Sequence, residues 1–204
     1  MKRTVACLLA LIMLMALFSC GKEDTVPKDS EGLSYTALSE TTCEVGGRGS
    51  CLDEEIRIPE TSPDGKKVVA VGGYAFQNDT TLKKISFPKT VTSFGAYAFA
   101  GCSSLEQLSF PDQLESIGIY AFSRCSSLTT VYLGSSLVDV DDGAFSGCGE
   151  MGYCFFRGDS TQFGRVRVGN GNSAMTMNLY YYSVKQPTTS GKFWYYQNGS
   201  VRIW

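Results

Sequence analysis

The sequence predicts a solenoid of right-handed, β-rich coils, 23 residues each with a short helical turn, closed by a β-hairpin. Three observations predict it. Phenylalanine recurs at Phe76, Phe99, Phe122 and Phe145, 23 residues apart each time. Its flanks recur with it: Tyr97-Ala-Phe-Ala-Gly-Cys-Ser-Ser-Leu105 is answered by Tyr120-Ala-Phe-Ser-Arg-Cys-Ser-Ser-Leu128, with more drift around Phe76 and Phe145. Downstream, Ile85, Leu108, Val131 and Cys154 keep the period, as do Phe87, Phe110, Leu133 and Phe156. Self-similarity at a period in the twenties marks a chain whose repeats pack only on their neighbours. A chain of that kind offers a ladder-like surface suited to binding.

Residues 1–19 read as an export leader. Lys2 and Arg3 form a positive n-region, and the apolar run Val5 to Phe18 closes on Ser19-Cys20. Fourteen residues fall short of a bilayer core roughly 30 Å thick, so the run is a signal segment rather than a membrane span. Leu17-Phe18-Ser19-Cys20 resembles the lipobox of bacterial lipoproteins, which implies that Cys20 is lipidated and becomes the mature N-terminus. Lys22-Glu23-Asp24 resembles the signal that carries some of these lipoproteins to the outer face of the outer membrane. Residues 20–32 read as a tether, since Gly21 to Gly32 is polar and charged with one apolar residue, Val26.

Residues 33–68 read as an N-terminal cap with one degenerate repeat, in which Ile56-Arg-Ile58-Pro59 is a strand of the later type. Pro59 to Val71 spans 12 positions where Pro88 to Phe94 spans six, and Ser62-Pro-Asp-Gly65 is a turn that absorbs the excess. Residues 69–156 are the repeats. Leu105-x-x-Leu108-x-Phe110 is a turn entering a short strand, which Pro111 ends because it cannot donate to a ladder. Val91 and Phe94, Leu114 and Ile117, and Leu137 and Val140 then point inward. The Ala-Phe segment is too short for a free helix and is predicted as one helical turn held by packing. Residues 157–204 leave the repeat. Tyr180–Tyr182 and Phe193–Tyr196 are aromatic β-prone runs, and Asn198-Gly199 is a tight hairpin signal before Val201–Trp204. They read as a C-terminal cap.

Without Lys2 and Arg3 the chain carries 16 basic and 20 acidic residues, and it has no basic run. That balance argues against nucleic acid, whose binding rests on Lys and Arg contacts to phosphate. No histidine exists anywhere, which excludes Ser-His and Cys-His nucleophile pairs and leaves no tetrahedral metal spacing. Cys102, Cys125 and Cys148 share one repeat position and read as a ladder of small buried thiols, while Cys43 and Cys51 are the one pair with a plausible bridge. Asp139, Asp141 and Asp142 gather carboxylates in one loop, fewer than the six to eight ligands calcium takes. Neither cofactor nor metal is assigned, and nothing marks the chain as an enzyme.

The alternation Ala-Phe, Cys-x-x-Leu, short strand, Pro and Gly-x-Tyr-Ala-Phe resembles the BspA-type, or Treponema pallidum-type, leucine-rich repeat, over about residues 45–156. The resemblance implies a leucine-rich repeat solenoid of the α/β horseshoe class. It also implies a cell-surface adhesion module acting on extracellular matrix or other cells, and it carries no catalytic residue. If Ile85 and Phe87 point inward, the outward ladder is Lys84, Gln107, Thr130 and Tyr153, with Ser86, Ser109, Tyr132 and Phe155 beside it. This face turns aromatic towards the C-terminus. Thr130, Tyr132, Tyr153 and Phe155 are therefore the candidate binding residues for an extracellular protein or a glycan, either of which can stack on rings. Two readings stay open for these rings: a binding platform, or a surface that the tail buries. A structural spacer or a glycan-capture component of an envelope assembly is the alternative function.

Overall fold

The computed structural model describes residues 28–204. The leader, Cys20 and Lys22-Glu23-Asp24 lie outside the described residues. Among the described residues, no helix is long and apolar enough to cross a membrane.

Each coil contributes one strand to a broad face and a second, shorter strand to a flank. The broad face holds β3 (Glu55–Arg57), β5 (Lys84–Ser86), β7 (Gln107–Ser109), β9 (Thr130–Leu133), β11 (Tyr153–Phe156) and β13 (Leu179–Tyr182), followed by β14 (Phe193–Gln197) and β15 (Ser200–Ile203). The flanking sheet runs β1 (Ser34–Ala37), β2 (Thr42–Gly47), β4 (Lys67–Val71), β6 (Ser93–Phe94), β8 (Ser116–Ile117), β10 (Asp139–Val140) and β12 (Arg167–Val168). Both are parallel except at the terminal pairs β1–β2 and β14–β15. The register reproduces the sequence period, with Gln107 beside Thr130 and Thr130 beside Tyr153.

The core is the inward set the period predicts. Ile85, Leu108, Val131 and Cys154 are buried, as are Phe94, Ile117 and Val140 across from them. Phe76, Phe99, Phe122 and Phe145 stack in one column, with ring centroids 5.0, 5.0 and 5.5 Å apart and planes within 9° of parallel. Cys102, Cys125 and Cys148 form the predicted thiol ladder. Each thiol donates to the carbonyl of the phenylalanine one coil back (Phe76, Phe99 and Phe122), at 3.1, 3.3 and 3.1 Å. Burial pushes the Cys102 thiol up to about 12. Cys43 and Cys51 are buried and unbridged.

Three features differ from the sequence reading. The segment predicted as a helical turn is a run of hydrogen-bonded turns, in which Ala100 N–H donates to Tyr97 C=O and Cys102 N–H to Phe99 C=O. A left-handed residue opens each run: Tyr74, Tyr97 and Tyr120 have φ of 61°, 57° and 53°, and Gly143 has 63°. A left-handed L-residue costs about 1–2 kcal/mol. The tyrosines answer it partly by stacking 5.2 and 5.3 Å apart, while a Cβ at Gly143 would run into the Tyr120 ring.

The broad face is also interrupted. No ladder bond joins β5 to β7, although the flanking sheet is continuous through the same coils. Phe87, half-buried, packs here against Phe94, Phe99 and Phe110, with centroids 4.8 to 6.0 Å apart.

The coils, finally, continue past residue 156. β12 joins the flank beside β10, and β13 joins the broad face beside β11, with Cys154 opposite Leu179. Two short helices accompany them, α1 (Ser160–Phe163) before β12 and α2 (Ser173–Met177) before β13. Asn172, just before α2, puts a side chain where earlier coils use a main-chain acceptor of the next coil. Where Phe122 N–H donates to the Ala144 carbonyl, Phe145 N–H donates to Asn172 Oδ1 at 3.0 Å. The Asn172 amide in turn donates to the Asp141 and Gly169 carbonyls, each at 2.9 Å. At the other end, Ser30 is already tied down by bonds from its N–H to Arg57 O and from its hydroxyl to Asp53.

Candidate recognition face

Alternation along β9 and β11 turns Thr130, Tyr132, Tyr153 and Phe155 to the outer side of the broad face, and the structure brings all four together. Tyr132 and Phe155 stack with centroids 5.2 Å apart, and Tyr153 and Phe155 with centroids 5.7 Å apart and planes within 9°. The four are not equally available. Tyr153 is 44% exposed, Tyr132 is half-buried, and Phe155 is only 4% exposed. Tyr180 and Trp194 close over Phe155 at 5.4 and 5.5 Å, so its outward direction does not make it a surface residue. Tail burial and an open platform therefore coexist: Phe155 is floor, and Tyr132 and Tyr153 are walls.

The tail shapes the other wall. Tyr182, Trp194 and Tyr196 continue the aromatic set, with Trp194 5.1 Å from Tyr182 and 5.0 Å from Tyr196. Trp194 is fully buried and its indole N–H donates to the Phe156 carbonyl at 2.9 Å. It is a core residue of the last coil. The sheet curls so far that Val201, Arg202 and Ile203 of β15 face Thr130, Tyr132 and Tyr153 across a groove of about 450 Å³. Burial, with Tyr196 adding to it, raises the Tyr132 phenol above its ordinary value, while Arg157 pulls the other way. Arg157 reaches back over two coils, donating to Phe110 O at 3.2 Å, Asp112 at 2.8 Å and Ser109 Oγ at 3.2 Å. Sequence reasoning missed Arg157, whose bonds skip a coil, and Tyr180 and the β15 wall, which stand where the 23-residue period has lapsed.

The N-terminal part of the same face is polar. Lys83 pairs with Glu54 at 2.5 Å and Lys84 with Glu55 at 3.8 Å. The loop carboxylates are engaged as well: Arg167 donates to Asp139 and to Asp141, and Asn170 N–H donates to Asp142. Among the described residues no group of side chains is arranged to hold a metal ion.

The repeats have relatives. A profile of the BspA type leucine rich repeat region matches residues 52–167 in six copies. No curated protein matches the chain. Among solved structures, a Treponema pallidum leucine rich repeat protein superposes with a TM-score of 0.64 at 24% identity, covering 76% of this chain and 72% of that one. A leucine-rich repeat protein from Bacteroides capillosus gives 0.56 at 22% identity, over 62% of this chain and 95% of its own. A leucine rich cell surface protein from Faecalibacterium prausnitzii gives 0.54 at 21% identity, over 69% of this chain and 42% of its own. At these identities the superpositions speak for the fold alone. The profile, spanning more than half the residues in six copies, decides the family: the chain belongs to the BspA type leucine-rich repeat proteins.

Proposed function

We propose that the protein is an exported, non-enzymatic recognition module. It is anchored through an acylated Cys20 at the outer-membrane surface and binds an extracellular protein or glycan through the C-terminal half of its strand face. The observation that carries the reading is the groove in which Tyr132 and Tyr153 flank the buried Phe155 and face β15. Exposed rings on a pre-formed surface suit a partner's apolar groups or a sugar ring, and the family supports a repeat-based binding role.

Tyr132→Ala is expected to weaken binding of the partner by about 1–3 kcal/mol with stability nearly unchanged. A screen of the detergent-solubilised chain against matrix proteins and a glycan array supplies the partner. A Tyr132→Ala chain that binds it as tightly as the parent places the site elsewhere. The anchor is tested separately. Cys20→Ala is expected to abolish incorporation of a fatty-acid analogue and to release the protein from the membrane, and an unlabelled parent chain ends that part of the reading. Lys22-Glu23-Asp24 supports surface display, which protease added to intact cells reads directly.

A further inference from the structure

The groove presents main chain as well as rings. Trp204 N–H donates to the Phe193 carbonyl, which makes Trp194 and Ile203 a pair without mutual hydrogen bonds and Tyr195 and Arg202 the bonded pair. The N–H and C=O groups of Val201 and Ile203 therefore point away from β14, along an edge where no further strand of the described residues pairs. Alternation puts the Val201 and Ile203 side chains on the Trp194 side, above the groove, and turns the Arg202 side chain to the opposite face with Tyr195. What Arg202 offers the groove is backbone and long-range positive charge. A free edge flanking an aromatic trough is a template for one more strand.

Charge selects among possible strands. Residues 157–204 carry six basic residues against a single acid, Asp159, although the chain as a whole is negative. Arg157 and Arg167 are already paired with Asp112 and with Asp139 and Asp141, which leaves Arg165, Lys185, Lys192 and Arg202 without a carboxylate partner among the described residues, and Lys192 Nζ lies 5.3 Å over the Tyr180 ring beside the groove. β9, β11, β13, β14 and β15 hold no carboxylate at all. We infer that the partner element seated in this groove is an extended, acidic peptide, which adds as a strand to the free edge of β15 and lays alternate side chains against Tyr132 and Tyr153. Its main chain meets the open groups of Val201 and Ile203, and its carboxylates meet Lys192 on the groove side and Arg202 on the other. The inference rests on the strand-face reading and narrows its ligand from protein or glycan to an acidic peptide.

The test uses the full-length chain in detergent, panned against phage-displayed random 12-residue peptides. The selected peptides are expected to be acidic and β-prone, and to protect the Val201 and Ile203 amides from hydrogen exchange. Val201→Pro removes a donor that faces away from β14, so the hairpin keeps its own bonds. It is expected to cut affinity for the best peptide about tenfold. A synthetic copy of that peptide, N-methylated at alternate residues, tests the same bonds on the unaltered protein and is expected not to bind. Failure to select any peptide, or full binding by the N-methylated copy, overturns strand addition. If that copy binds and Tyr132→Ala does not, the strand face survives as the site with side-chain contacts alone. If Tyr132→Ala also binds normally, the strand-face reading falls with it.

Discussion

Phe122→Ala is expected to lower stability by about 3–5 kcal/mol, the usual cost of emptying a buried phenylalanine site. The ring is fully buried and sits in the column between Phe99 and Phe145, 5.0 and 5.5 Å from each, with Phe94 and Phe110 touching it at 5.4 and 5.3 Å. Removing it breaks the column in the middle, and the four surrounding rings cannot collapse into the void without leaving their own coils. Because coils support one another only through neighbours, the loss is expected in the coils on either side first. Thermal denaturation reads the total, a fall on the order of 10 °C, and amide exchange reads the spread. A melting point within a degree or two of the parent would show that the column does not carry the core.

Trp194→Ala is expected to cost a similar about 3–5 kcal/mol, confined to the C-terminal end. Trp194 is fully buried, covers Phe155 and donates its indole N–H to Phe156, so truncation opens a cavity and orphans a carbonyl together. The exposed Tyr196, two residues on, is the control: Tyr196→Ala is expected to shift stability by no more than about 0.5 kcal/mol. Exchange at β14 and β15 amides distinguishes the two. If Trp194→Ala leaves those amides protected, the tail is not held to the last coil by this residue. Because it disturbs the floor and the hairpin together, loss of binding in Trp194→Ala does not move the site to the tail.

The interior was legible in the sequence because one side of each coil is fixed by packing. Phe99, Leu105, Leu108 and Phe110 repeat their spacing at Phe122, Leu128, Val131 and Leu133, and every one is buried. The candidate rings followed by addition, since Thr130 and Tyr153 pair in register, as do Tyr132 and Phe155. What escaped the period lies where its marks are erased. Tyr180 pairs with Phe155 at a spacing of 25 residues, without the Ala-Phe anchor and with Asn172 in place of main chain, so the last coils read as a separate cap. The left-handed tyrosines were not legible because an L-residue with a bulky side chain rarely takes that conformation. The gap between β5 and β7 was not legible either, since Phe87 matches the consensus of its neighbours and differs only in how its ring packs.

The thiol ladder gives the fold a chemical property of its own. A thiol reacts as its thiolate and in contact with reagent. Cys102, Cys125 and Cys148 are denied the second, being almost wholly shielded from solvent and held to neighbouring carbonyls, and burial also holds the Cys102 thiol protonated. Even where the surroundings are oxidising, their reduced state is thus guarded by the opening rate of the coils and not by the redox poise outside. The Phe99, Phe122 and Phe145 coils each carry one rung of this ladder, so alkylation of a given rung counts how often that coil comes apart.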